Sequence, residues 1–268
     1  LGAVVISPYE MHPLKIANMV STLNEASNGR GMVVIGGGGE WPGVLKVGYG
    51  RRVTGVGEAI GMVHRAVRGQ VVKWDGKVYS ARYFRSPWVK GPPPIIYAGA
   101  TGPKMLDMAV RFADGTMLSD MIEPMLPGTM KTLHDALARH GRKPDAFRVN
   151  NFCAFHVKKD REASFREARR ELMVRGWLGE EWYEPLLTPE EAQVVATHKE
   201  AFLTAFRTRS GDIKGVAPEI CAKLVEGLSL AGDLSDLDRH VGRLKKFAAA
   251  GMTENALRLH DDPAGALH

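Results

Sequence analysis

The sequence has 268 residues, of which 44% are hydrophobic and 25% are charged. These are ordinary values for a globular protein, and the chain is long enough to bury a sizeable core. Its net charge is +6, but lysine and arginine are scattered rather than gathered into the dense stripe that is typical of nucleic-acid-binding proteins. No segment approaches the roughly 20 apolar residues of a membrane helix. Composition and charge therefore favour a globular protein with neither a nucleic-acid nor a membrane partner.

The two cysteines, Cys153 and Cys221, stand alone in apolar segments and lack metal-ligand spacing. Such residues usually behave as inert core thiols in a reducing compartment. We therefore expect a cytoplasmic protein without a metal site.

Strand-like and helix-like segments alternate along the chain. Runs rich in β-branched residues, such as Met32-Val-Val-Ile35, predict buried strands. The predicted main strands are 1–6, 32–36, 94–98, 115–118, 147–157 and 255–259. The predicted helices are 13–27, 54–67, 103–112, 123–140, 161–174, 218–226 and 234–249. The first strand is expected to be buried on both faces, and residues 229–233 to form a loop.

Two segments interrupt this alternation. Residues 71–84 contain Trp74-Asp75-Gly76-Lys77, a predicted hairpin turn between short strands. Residues 177–215 form a mainly helical insertion, in which Thr188 precedes a proline and two glutamates, as at many helix starts. We predict a single domain over 1–268, with the hairpin and the insertion as excursions from it.

Alternating strands and helices predict an α/β fold with a parallel sheet. Six units suit an open, doubly wound sheet, whereas eight close a (β/α)8 TIM barrel. The chain begins at Leu1, inside a predicted strand. We favour the barrel, partial at its amino-terminal end, with the first two β/α units missing from this chain.

Four consecutive glycines, Gly36 to Gly39, follow the second predicted strand. Without Cβ atoms their backbone can closely approach a planar ring or a phosphate, although a flexible hinge loop has the same composition. Because ligands of parallel α/β folds sit at the carboxyl ends of strands, the position favours ligand binding.

The segment from Ala98 to Pro103 follows the third predicted strand and opens a helix. Amides at a helix amino end point outward with the positive end of the helix dipole behind them, and Thr101 adds a hydroxyl. This predicts a phosphate site, although a glycine-rich turn also occurs for packing alone. His12 and His156 are isolated histidines, and we interpret both as structural.

Several motifs together resemble the luciferase-like oxidoreductases, most of all their coenzyme F420-dependent, methylenetetrahydromethanopterin reductase-like branch. The motifs are His12-Pro13, Ala17, Thr22-Leu23, Asn28-Gly29-Arg30, Val33 to Gly36, Gly38-Gly39-Glu40, Pro94 to Ala109, Ala113-Asp114-Gly115, Ser229 to Gly232 and Ala250-Gly251. They follow the family's order along nearly the whole chain.

The resemblance implies that residues 1–6 are the third strand of the barrel. It implies a non-prolyl cis peptide at Val4-Val5 that supports the cofactor ring. The cofactor's phosphate would be held by backbone amides of Gly99, Ala100, Thr101 and Gly102. Gly38 and Gly39 would also contact the cofactor, and Glu40 would give or take a proton near its ring.

The function that the resemblance implies is an F420-dependent oxidoreductase, which transfers a hydride between the deazaflavin and a small organic substrate. FMN suits the same pocket, so an FMN-dependent luciferase-like monooxygenase is an alternative. A non-catalytic flavin-binding relative is a second alternative. We expect a homodimer or a higher homo-oligomer.

Overall fold

The computed structural model describes residues 1–39, 45–48 and 50–265, and seven strands of this part of the chain form one sheet. Their hydrogen-bonded order is β1-β2-β5-β6-β7-β8, and β9 also pairs with β7. The pairs β1–β2, β2–β5, β5–β6 and β7–β8 are parallel. The strands are β1 Gly2–Ile6, β2 Met32–Ile35, β3 Val72–Asp75, β4 Ser80–Phe84, β5 Ile95–Gly99, β6 Gly115–Ser119, β7 Arg148–Val157, β8 Ser229–Gly232 and β9 Glu254–Arg258.

Helices connect most of these strands, which confirms the predicted α/β class with a parallel sheet. They are α1 Pro13–Ala26, α2 Arg52–Ala66, α3 Pro103–Phe112, α4 Leu126–Arg139, α5 Arg161–Arg170, α6 Glu180–Tyr183, α7 Pro189–Thr197, α8 Lys199–Thr208, α9 Pro218–Leu228 and α10 Leu237–Ala249. Short 3-10 turns lie at Glu123–Met125, Pro144–Ala146, Leu172–Val174, Gly176–Leu178, Glu184–Leu186 and Leu234–Asp236. Closure of the sheet into a (β/α)8 barrel stays a prediction.

The position of each strand in the sheet explains its burial. Strand β2 lies between β1 and β5, and Val33, Val34 and Ile35 are fully buried. Strand β1 pairs with β2 alone among the described strands, and Val4 and Val5 are exposed. The prediction that the first strand is buried on both faces is therefore wrong for this chain.

Two further sequence predictions need correction. Residues 229–232 form β8, parallel to residues 154–157 of β7, rather than a loop. All four residues are buried, so their backbone groups need partners, and the β-ladder supplies them. The hairpin turn lies at residues 76–79 rather than 74–77, because Trp74 and Asp75 pair with β4 and Gly76 N–H donates to Tyr79 O.

The chain divides into two compact units. Unit 1 comprises residues 1–118 and 129–150, and unit 2 comprises residues 119–128 and those from 151 onward. Unit 2 has an apolar core of its own, to which α5, α8 and α9 contribute Ala168, Phe202 and Leu224. The single domain over 1–268 stays a prediction.

In unit 1, the β3–β4 hairpin forms a separate antiparallel sheet beside α2. The carboxylate of Glu58 on α2 accepts hydrogen bonds from the backbone N–H groups of Lys77, Val78 and Tyr79, at 2.7–3.0 Å. Burial alone would raise the pKa of this carboxyl, but the three hydrogen bonds lower it. The charged carboxylate therefore attaches the hairpin to α2.

Among the described residues, no helix combines the length and the apolar character required to cross a membrane.

The side chain of Asn24 fixes the starts of the two central strands of unit 1. Its Oδ1 accepts a hydrogen bond from Gly31 N–H, and its Nδ2 donates to Pro92 O, both at 2.9 Å. Gly31 directly precedes β2, and Pro92 lies three residues before β5. Asn24 and Gly31 are both buried, so the N–H of Gly31 depends on this side chain for a partner, whereas Pro92 is exposed.

We predict that Asn24→Leu lowers the free energy of unfolding by about 1–3 kcal/mol, because it leaves the buried N–H of Gly31 unpaired at nearly constant volume. Chemical denaturation of wild type and variant measures this. Asn18→Leu on the same helix is the matched control, and it should change stability by no more than about 0.5 kcal/mol. Equal losses in the two variants would contradict the assigned role of Asn24.

Candidate functional site

The carboxyl ends of β1, β2 and β5 converge at two glycines of unit 1. A Cβ placed on Gly36 would lie 3.6 Å from Gly99 Cα, and one on Gly99 would lie 3.5 Å from Gly36 Cα. Gly36 N–H also donates to Ile6 O at the end of β1. The two glycine-containing loops therefore lie at the same edge of the sheet, as the sequence predicts.

The side chain of Val5, on β1, lies beside both glycines. Its Cγ1 lies 2.7 Å from where a Cβ of Gly36 would be and 3.7 Å from that of Gly99. The Val4-Val5 peptide bond is cis, as the resemblance implies, and the β1–β2 register shifts between Ala3 and Ile6. Val5 is 48% exposed, so an apolar side chain is presented to solvent directly beside two residues that lack side chains.

Beyond Gly36 the glycine loop turns through backbone conformations that glycine adopts easily. Gly38 has φ +84° and Gly39 has φ +57°. A Cβ on Gly38 would also lie 2.7 Å from Ser7 Oγ, so the loop rests against the segment after β1. Glu40, the predicted proton donor or acceptor, lies outside the described residues, and its role stays a prediction.

The backbone at Gly99–Gly102 serves two purposes. The N–H of Ala100 donates to Met117 O at 3.2 Å and continues the β5–β6 ladder. Ala100 is therefore not an open amide for a phosphate, which corrects the sequence-based assignment. Thr116 on β6 is fully buried, and its hydroxyl lies 3.2 Å from Ala98 O and 3.4 Å from Ala100 O. These bonds hold the end of β5 in place.

The amides available to a phosphate lie after Ala100, at the start of α3. Gly102 is the N-cap of α3 and Pro103 its first residue, and no side chain caps this end. The amides of Thr101, Gly102 and Lys104 therefore meet the positive end of the helix dipole, with no acidic residue in the first turn. Lys104 was not predicted from the sequence, although its place directly after the Gly102-Pro103 helix start is a usable signal.

The hairpin supports the segment that follows β1. The Tyr79 hydroxyl donates to Pro8 O at 2.7 Å, and its ring meets His12 edge-on. Burial, with the charges of Tyr9 and Glu58, raises the pKa of Tyr79 to about 12, so it remains a neutral donor. Nδ1 of His12 accepts from Leu14 N–H and caps α1, which is the structural role predicted for it.

Unit 2 contains a second concentration of polar groups, which sequence analysis did not predict. His156 on β7 is buried, and its Nδ1 lies 2.8 Å from Glu167 Oε2 on α5. Its ring stacks on that of His260 with centroids 4.4 Å apart. Burial lowers the pKa of His156 despite Glu167, and burial together with nearby positive charges lowers that of His260 to about 3.

Unit 2 also contains a buried ion pair between Arg175 and Asp120. Arg175 Nη1 donates to Asp120 Oδ1 at 2.8 Å, and Arg175 is 1% exposed. Asp120 directly follows β6 and also accepts from the Ser119 hydroxyl. The positive charge of Arg175 lowers the pKa of both histidines.

Both cysteines are buried thiols. Burial raises the pKa of Cys153 and of Cys221 to about 11 in each case. They are therefore unreactive, as predicted.

Comparison with known proteins gives a match of residues 1–254 to the luciferase-like monooxygenase family. A 5,10-methylenetetrahydromethanopterin reductase from Archaeoglobus fulgidus is 27% identical over 258 residues, which are 95% of this chain and 75% of the relative. The solved coenzyme F420-dependent tetrahydromethanopterin reductase from Methanopyrus kandleri has a TM-score of 0.73 at 21% identity, covering 100% of this chain and 79% of that one. A solved F420-dependent secondary alcohol dehydrogenase, in complex with an F420-acetone adduct, has a TM-score of 0.67 at 18% identity, covering 96% and 72%.

We predict that His260 makes the protein less stable in mild acid. Its folded-state pKa, about 3, is lower than the ordinary value of 6.5, so its contribution is complete above 6.5 and is lost as the pH falls toward 3. Between pH 7 and pH 5 this one group should cost about 1–2 kcal/mol of unfolding free energy. His260→Phe keeps an aromatic ring for the stack and should abolish this loss of unfolding free energy between pH 7 and pH 5. Urea unfolding of wild type and variant at pH 5, 6 and 7 measures the difference.

The control is His134→Phe, which replaces an exposed histidine of α4 and should leave the pH dependence unchanged. The same pH dependence in His260→Phe as in wild type would show that His260 is not held neutral.

Proposed function

We propose, since the chain belongs to the luciferase-like monooxygenase family, that it is an F420-dependent oxidoreductase. The reaction would transfer a hydride between the deazaflavin and a small organic substrate. The names of similar proteins support F420, because both the Methanopyrus kandleri reductase and the secondary alcohol dehydrogenase are described as F420-dependent.

The close approach of Gly36 and Gly99 beside Val5 is the observation that carries this proposal. A side chain at either glycine would occupy the space between the strand ends. The exposed side chains of Val4 and Val5 offer an apolar surface next to that space. An edge of this kind fits a flat ring that rests on valine and backbone, so the residues present fit the cofactor.

When bound, the cofactor supplies a ring carbon that accepts or gives the hydride. Val4 and Val5 would support the ring, and Gly36, Gly38, Gly39 and Gly99 would let it approach the backbone. The amides of Thr101, Gly102 and Lys104 would bind the phosphate at the start of α3, where the helix dipole favours an anion.

Glu40 would give or take the proton that accompanies the hydride. This role is proposed from the resemblance alone, because Glu40 lies outside the described residues. We also propose that the protein acts as a homodimer or larger homo-oligomer.

We predict that the protein binds F420 and that Gly99→Val weakens this binding at least about tenfold. The new Cβ would meet Gly36 Cα, Val34 and Val5 at ordinary distances of 3.5–3.7 Å, so the fold should tolerate it. Its two methyl groups, however, would occupy the space proposed for the ring. Titration of wild type and variant with F420 and with FMN, followed by absorbance and thermal unfolding, measures both effects.

Gly128→Val is the matched control, because a Cβ at Gly128 meets nothing within 4 Å. Glu40→Gln should also keep wild-type affinity, since its proposed task is proton transfer rather than binding. Unchanged affinity in Gly99→Val would reject the proposed cofactor position. Binding of FMN but not F420 would favour a monooxygenase, and binding of neither would favour a non-catalytic relative.

A further inference from the structure

We propose that Arg175, Arg258, His156 and His260 of unit 2, called here the oxyanion cluster, bind the carboxylate or phosphate group of a ligand. This proposal concerns residues of unit 2 and does not depend on the function proposed from the glycines of unit 1.

Arg175 provides the first observation. Among the described residues its guanidinium is engaged through Nη1 alone, which donates to Asp120 Oδ1. Its Nε and Nη2 are buried and have no hydrogen-bond partner among the residues that the structure describes. A guanidinium donates most strongly through pairs of N–H groups to the two oxygens of a carboxylate or phosphate. The two open donors therefore favour an anion that is not part of the described chain.

Arg258, on β9, provides the second observation. Its guanidinium lies over the ring of Phe152 at 5.9 Å and has no hydrogen-bond acceptor within the described ranges. Burial lowers its pKa, and the charge of Arg175 lowers it further. The two positive charges therefore oppose each other, and a shared anion would relieve this repulsion.

The paired imidazoles are the third observation. Nε2 of His156 and Nε2 of His260 are both buried and unpartnered among the described residues. The charges of Arg175 and Arg258 both act on His260. A bound anion would offset that effect and allow an imidazole to take up a proton and donate through Nε2.

The nearby carboxylates are already engaged. Glu167 Oε2 lies 2.8 Å from His156 Nδ1, and Glu167 Oε1 lies 3.1 Å from Lys158 Nζ. Asp120 accepts hydrogen bonds from Arg175 Nη1 and from the Ser119 hydroxyl. Oε1 of Glu171 accepts from Arg209 at 2.6 Å and Arg170 at 3.2 Å, and lies 3.8 Å from His260 Nδ1. The oxyanion cluster therefore keeps unused positive charge, and a metal cation would be repelled by its two guanidinium groups.

The experiment is a titration with inorganic phosphate and, separately, with acetate at constant ionic strength. Calorimetry gives the affinity, and NMR signals of the imidazole rings report on His156 and His260. Arg258→Met removes the guanidinium but keeps a long side chain over Phe152. Arg111→Met is the matched control, because Arg111 lies over Phe112 at 4.9 Å in unit 1 and is exposed.

We expect saturable binding of at least one of the two anions to the wild type, with movement of both imidazole signals. Arg258→Met should bind it at least about tenfold more weakly, because a charge-assisted hydrogen bond is lost. Arg111→Met should bind like the wild type. Equal affinity in Arg258→Met and wild type would overturn the proposal, as would an equal loss in Arg111→Met. If Arg258→Met does not fold, the NMR titration of the wild type still tests the proposal. Imidazole signals that do not move when the anion is added would also overturn the proposal.

The two anions distinguish a phosphate from a carboxylate, and competition with F420 distinguishes the molecule that carries it. Weaker F420 binding in saturating phosphate or acetate would assign the oxyanion cluster to the cofactor's own acidic groups. Unchanged F420 binding would assign it to the substrate. Because the anion titrations contain no F420, failure of F420 to bind would reject the proposed function and leave the oxyanion cluster intact.

Discussion

The ends of β2 and β5 approach so closely that a side chain between them would fill the gap. A Cβ on Gly36 would meet Val5 at 2.7 Å, which is well inside normal contact, whereas Gly99 has room for a Cβ but for little more. The three strand ends can form an open, flat edge only because both positions are glycine. The proposed positions of the cofactor ring and of its phosphate both depend on this approach.

Buried polar side chains maintain the approach from both ends of the strands. Asn24 satisfies backbone groups just before β2 and β5, and the Thr116 hydroxyl does so where β5 ends. A change at Asn24 would therefore act through the alignment of the strands, and hence through stability as well as binding.

The oxyanion cluster in unit 2 is organised differently. The Nε and Nη2 donors of buried Arg175 have no partner among the described residues, and unsatisfied buried donors are destabilising in the absence of a ligand. Such arrangements are found more often at functional sites than in structural cores. The energetic cost of the unsatisfied donors of Arg175 is the reason to assign the oxyanion cluster a ligand rather than a role in folding.

The sequence predicted those features that depend on neighbouring residues. The β-branched run Met32–Ile35 and the proline that opens α3 were sufficient to place a strand and a helix start. Strand β8 was missed because Ser229–Gly232 is short and rich in small residues, so its β-structure comes from pairing with β7. The exposure of Val4 and Val5 depends on how many strands lie beside β1, which local sequence does not encode.

Site details were predicted less well, for the same reason. The N–H of Ala100 donates a hydrogen bond to the carbonyl of Met117, which lies seventeen positions further along the chain. The oxyanion cluster joins residues from β7, from β9 and the segment that follows it, and from the segment after α5, and no spacing in the sequence links them. By contrast, the Val4-Val5 cis peptide was placed correctly, but from the family resemblance rather than from the residues alone.

Hydrogen–deuterium exchange with and without saturating F420 tests the central claim most directly, because it reports on the individual amides assigned to the cofactor. The account predicts slower exchange at Thr101, Gly102 and Lys104 and in the loop from Gly36 to Gly39, with Lys77 to Tyr79 of the hairpin unchanged. Saturation with F420 that leaves both glycine loops exchanging as in the free protein would contradict it.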